Sequence, residues 1–138
     1  MISLANLKLY QTNLEVLKDK TGDLNSLFKE LQLGVGGVEV ESATGAIGIK
    51  MGTAVITKSS APAVMTLALP TATTDDGKIL RIYAIGAQAH TVTTPAHGIN
   101  ANKNVTTFGG ALGDCIVLLA YQAVWYVVST VNQTLSGS

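Results

Sequence analysis

From Leu7 to Leu31 side chains recur at alternating steps of three and four, at Leu7, Tyr10, Leu14, Leu17, Thr21, Leu24, Phe28 and Leu31. All but Thr21 are apolar. The spacing is a heptad seam with Leu7, Leu14, Thr21 and Phe28 at a and Tyr10, Leu17, Leu24 and Leu31 at d. It is sustained for about four heptads, which predicts a coiled coil. A helix of that length would run about 40 Å with one narrow apolar stripe to bury. A lone helix with its stripe in water does not persist, so the stripe predicts self-association through residues 3–33. The alternative is packing against the chain's own following domain, which Leu27 beside Phe28 favours by widening the face. Lys18, Lys20, Gly22 and Asp23 also read as a helix stop followed by a new N-cap. One kinked helix and two helices, 3–20 and 24–33, both fit, and the seam alone leaves the number of strands in the coil open.

After the Gly-rich joint at 34–37 the apolar period falls towards two, and Thr, Val, Ile, Ala and Gly take over. The predicted strands are Val38–Glu41, Ala46–Lys50, Ala54–Thr57, Val64–Leu69, Lys78–Ile85, His90–Thr93, Val105–Phe108, Asp114–Tyr121 and Val124–Val131. Turn residues separate them: Met51-Gly52, Ser59 to Pro62, Asp75-Asp76-Gly77, Pro95 to Gly98, Gly109-Gly110. The spacing predicts a mainly β fold, a β-sandwich or jelly-roll-like domain over 38–138, preceded by the helical segment 1–33. Its clearest hairpin turns at Gln122-Ala123. Ile82, Phe108, Ile116, Leu118, Trp125 and Val127 are the candidate core. Lys78–Ile85 and Cys115–Ala120 are apolar on both faces, as strands are when they lie between two layers or at a subunit interface.

Composition narrows the functions. Net charge is zero and the pI near 6.7, so the chain lacks the basic footprint of a nucleic-acid or anionic-membrane binder. Only 13% of residues are charged, and the 101 residues after Gly37 carry five acids and five bases. So little charge implies a surface covered by other subunits or another protein. No basic signal sequence opens the chain, and no apolar run approaches the ~18 residues of a membrane span. One cysteine, Cys115, excludes an intrachain disulfide and reads as a buried small hydrophobe.

Candidate chemistry is sparse. Leu33 to Gly37 lacks the G-K-[ST] ending of a phosphate loop. His90 and His97 have no Cys or carboxylate close in sequence, so neither is expected to hold a metal. Asp75 and Asp76 with Gly77 make a turn rather than a catalytic pair, and no nucleophile motif surrounds a serine or Cys115. Neither catalysis nor a cofactor is expected. Trp125 and Tyr126 fall on opposite faces of their strand, so they do not form one stacking platform.

The segment from Gly52 to Thr134 resembles a small β domain that recurs in structural proteins of tailed bacteriophages. The likeness rests on Gly52 to Thr57, on Thr66-Leu67-Ala68-Leu69-Pro70, on Asp76-Gly77-Lys78 leading into Ile82, and on Ala89 to Thr93. It continues through Thr106 to Gly109, Gly113-Asp114, Val124 to Val127 and Val131 to Thr134. An N-terminal helix followed by such a domain looks like a trimeric head fibre or capsid decoration protein. The resemblance implies a homotrimer with a three-stranded coil and a trimeric β knob. It also implies a place on the capsid surface, contact with the major capsid protein or another virion protein, and assembly in the host cytoplasm. The alternative is a fibre or tail tip module binding host glycans through a shallow site near Thr94–Asn104.

Overall fold

Side chains that alternate between core and solvent set the strands. The computed structural model describes residues 37–138. The seam from Leu7 to Leu31, the possible break at 21–23 and the first part of the glycine joint lie outside the described residues. Ten strands follow: β1 (Val38–Glu41), β2 (Gly45–Ile47), β3 (Gly52–Ile56), β4 (Val64–Leu67), β5 (Ile79–Ala84), β6 (Thr91–Thr93), β7 (Val105–Phe108), β8 (Cys115–Tyr121), β9 (Val124–Val131) and β10 (Gln133–Ser136). They form two mixed sheets, ordered β1-β3-β5-β8-β9 and β10-β7-β6-β4-β2. Among the described residues there is no helix long and apolar enough to cross a membrane.

Direction distinguishes this arrangement from a jelly roll, whose strands are antiparallel. β1, β3 and β5 run parallel in the first sheet, and β2, β4 and β6 run parallel in the second. Consecutive strands therefore alternate between sheets, and the chain winds through three turns with one strand of each turn in each sheet. Parallel neighbours need a long crossover, usually a helix. Here the strand of the opposite sheet is the crossover. After β6 the chain reverses: β7 pairs antiparallel with β6, β8 with β5, β9 with β8 and β10 with β7.

One core fills the space between the sheets. Ala54, Ile56, Leu80, Ile82, Ala84, Ile116, Leu118, Ala120 and Trp125 enter from the first, and Ile47, Met65, Leu67, Val92 and Phe108 from the second. Burying such side chains stabilises by about 1.5–3 kcal/mol each. Of the candidate core, Ile82, Phe108, Ile116, Leu118 and Trp125 are buried, and Val127 packs half-buried against them. Trp125 also ties two loops to the core. Its indole N–H donates to the Ala68 carbonyl at 2.9 Å, and its backbone N–H donates to the Gly98 carbonyl.

Several strands end earlier than their apolar pattern does. β2 stops at Ile47 because the N–H groups of Gly48 and Ile49 turn to the Glu39 carboxylate, at 2.9–3.0 Å. β4 stops at Leu67, where the Ala68 carbonyl takes the indole proton and Pro70 follows. β10 has no counterpart among the predicted strands, since four residues of which three are polar carry little strand signal.

Candidate functional site

The polar residues that could carry chemistry are occupied by structure. His90 is fully buried at the end of the β5–β6 connection. The Ala63 N–H donates to its Nδ1 at 2.9 Å, and Nε2 lies 3.1 Å from the Gly86 carbonyl. The tautomer protonated at Nε2 satisfies both contacts, and the ring meets Phe108 edge-on. His97 is exposed in a loop with φ 59°. Among the described residues no three His, Cys, Asp or Glu side chains converge as metal ligands.

Asp75 receives Lys78 Nζ at 2.7 Å, the Thr71 N–H and Lys50 Nζ at 3.1 Å. The Lys78 bond first, then the Thr71 and Lys50 bonds, holds its carboxyl far below the ordinary 3.8. Asp114 is the hub of the corner joining β7, β8 and β9. Burial pushes its carboxyl up, but donors from Ala111, Asn132 and Gly110 outweigh burial and leave it lowered. Asn132 occupies a left-handed conformation there, and a Cβ on Gly109 would fall 2.1 Å from its amide nitrogen. Asp76 accepts the backbone and side-chain N–H groups of Gln122 at 2.7 Å, pinning the β8–β9 turn. Glu41 is raised, first by partial burial and then by its neighbour Glu39. Cys115 is a buried free thiol.

What remains is surface, and its two faces differ. Side chains of the β1-β3-β5-β8-β9 sheet that point away from the core line up across strands by register. One row is Val40, Val55, Tyr83, Cys115 and Val131; the next is Val38, Thr53, Arg81, Val117 and Ser129; the third is Ile79, Leu119 and Tyr126. Val38 and Val40 are 65% and 61% exposed. Arg81 is the single charge in these rows, and among the described residues it pairs with no carboxylate. A half-apolar, half-polar strand would be the norm for a sheet facing water. This face is mostly apolar, with Thr53, Arg81 and Ser129 as its polar members.

The outer face of the other sheet is richer in hydroxyls: Ala46, Thr66, Thr93, Val105 and Ser136 in one row, Val64, Thr91, Thr107 and Thr134 in another. At the ends of its parallel strands an open groove of about 400 Å³ is lined by Ala46, Ile47, Thr66, Leu67, Ala68, Thr93, Thr94 and Pro95. Nothing in it is charged. It borders the Thr94–Asn104 loop, which is itself held down by buried Ile99 and by the Asn100 side chain accepting the Val127 N–H.

Compared with known proteins, the chain matches no family model and no curated protein. The fold and its two faces therefore carry the functional reading. Sequence reasoning marked β5 and β8 as apolar on both sides but did not place Val38, Val40 and Tyr126 in register with them. The signal was present in Val38-Glu39-Val40-Glu41: its valines continue the outer rows, while Glu39 turns towards the β2 corner.

Proposed function

We propose that the protein is a non-enzymatic structural component of a tailed-phage virion, a homotrimer that decorates the capsid surface as a short head fibre. The coiled-coil segment 1–33 would gather the chains, and the β domain would form the knob. The observation that carries the reading is the apolar outer face of the β1-β3-β5-β8-β9 sheet, held by a domain with few charges to keep such a face in water. The heptad seam and the resemblance of Gly52–Thr134 to phage structural domains supply the setting. Binding to the major capsid protein would gain from many copies, so weak single contacts would suffice.

The test is incorporation into particles. Phage carrying the full gene are compared with phage encoding only residues 38–138, and purified particles are analysed for the protein. The proposal expects loss of trimer mass and of incorporation on removal of residues 1–37. Unchanged incorporation with an unchanged trimer would overturn it. The uncharged groove beside Thr93 and Thr94 favours a second reading, a glycan-binding fibre tip. Binding of the full chain to a glycan array, abolished by Thr93→Trp, would support that reading.

A further inference from the structure

We infer that the outer face of the β1-β3-β5-β8-β9 sheet is where copies of this chain meet, the β1 edge of one subunit seated against the β8–β9 half of the next. The inference rests on the assembly reading above and adds to it the surface and its arrangement.

Continuity of the chain is the first argument. Residues 1–36 enter the described domain at Gly37, directly before β1, and β1 places Val38 and Val40 on this face. The joint at 34–37 spans at most about 14 Å even when fully extended. A coil that gathers the seam residues therefore delivers the β1 edges of all copies close to one axis, with this face beside it.

Size is the second argument. Five strands about 4.8 Å apart and three rows about 7 Å apart outline roughly 400–500 Å². A typical stable interface takes about 800 Å² from each partner. The face is too small to hold an untethered protein for long. It suffices for copies that a coil already holds at high effective concentration.

Charge fixes the arrangement. A two-fold pairing centred on the face would oppose two Arg81 guanidinium groups with no carboxylate in the rows to separate them. A cyclic contact, Val38 and Val40 of one copy against Val117, Leu119 and Tyr126 of the next, keeps the arginines apart and lets each subunit use both halves. The strand edge itself is a poorer joint, because Glu39 and Glu41 place charge along β1 and discourage edge pairing.

The experiment uses the full chain in a Cys115→Ala background. Val38→Cys with Tyr126→Cys puts thiols at opposite edges of the face, about 19 Å apart within one subunit. A short bismaleimide cannot bridge that span inside a chain. Dimer and trimer bands are the expected result, with only monomer from the control Thr66→Cys with Thr134→Cys on the opposite sheet. In parallel, Val40→Asp is expected to weaken assembly roughly tenfold, while Val64→Asp, also exposed but on the other sheet, leaves it unchanged. Circular dichroism verifies that each variant is folded. If light scattering shows an oligomer but the Val38/Tyr126 pair gives only monomer bands and Val40→Asp changes nothing, this inference falls alone. If the full chain itself scatters as a monomer, the assembly reading falls with it.

Discussion

His90 shows how a single side chain with chemical potential is spent on structure. Both ring nitrogens are engaged with backbone, at Ala63 and Gly86, inside a fully buried site. His90→Phe would keep the bulk but strand the buried Ala63 N–H, and should cost about 1–3 kcal/mol in urea unfolding. The β8–β9 turn offers the opposite sign. Gln122 and Ala123 hold φ of 47° and 63°, conformations that cost a side-chain-bearing residue about 1 kcal/mol or more. Ala123→Gly should therefore stabilise by about 0.5–1 kcal/mol, read as a rise in Tm. Gln122→Gly should not, since it gives up the side-chain bond to Asp76. The sequence marked this turn by position, and Asp76-Gly77 as a turn, but nothing in it foretold that the two would be joined.

Asp75 gives the fold a pH dependence whose sign follows from its partners. Its carboxyl titrates lower in the folded chain than the ordinary 3.8, so its contribution is complete above that value and is lost as pH falls below it. Unfolding of the wild type should become easier from about pH 4 downward. Asp75→Asn, already without the charge, should show a shallower decline over the same range. Asp114 is lowered in the same direction and would add to the effect.

At the scale of strands, alternation revealed where most elements lie but not which neighbours they choose. A pattern of period two assigns each side chain to a face, and β3, β5 and β7 follow it closely. Parallel and antiparallel pairing bury the same residues, so the winding of β1 to β6 left no trace in the pattern. Close backbone approaches fix that winding. Gly86 leads out of β5, and a Cβ there would stand 2.2 Å from the Lys58 carbonyl oxygen. Gly86→Ala should destabilise by about 1–3 kcal/mol, because the obstacle is backbone and cannot swing aside. Glu39 has the corresponding role in the first turn. Its removal, Glu39→Ala, should speed amide exchange at Gly48 and Ile49 while leaving that of β8 unchanged.

For the whole molecule, the balance of apolar and charged surface is the fact to be explained. The described domain has one face rich in threonine hydroxyls and one dominated by valine, leucine, isoleucine and tyrosine, with Arg81 its single charge. Low charge was legible from composition, and the doubly apolar strands were legible from their order. The face they build was not, because it depends on register between strands far apart in the chain. A heptad pattern that ends shortly before Gly37 and an apolar sheet face that begins directly after it explain each other if copies gather, since nothing among the described residues covers that face.

The most direct measurement is the mass of the full chain by multi-angle light scattering at micromolar concentration. The expected result is a particle of three chains of 14.3 kDa each, persisting on dilution. A monodisperse 14.3 kDa species would contradict it.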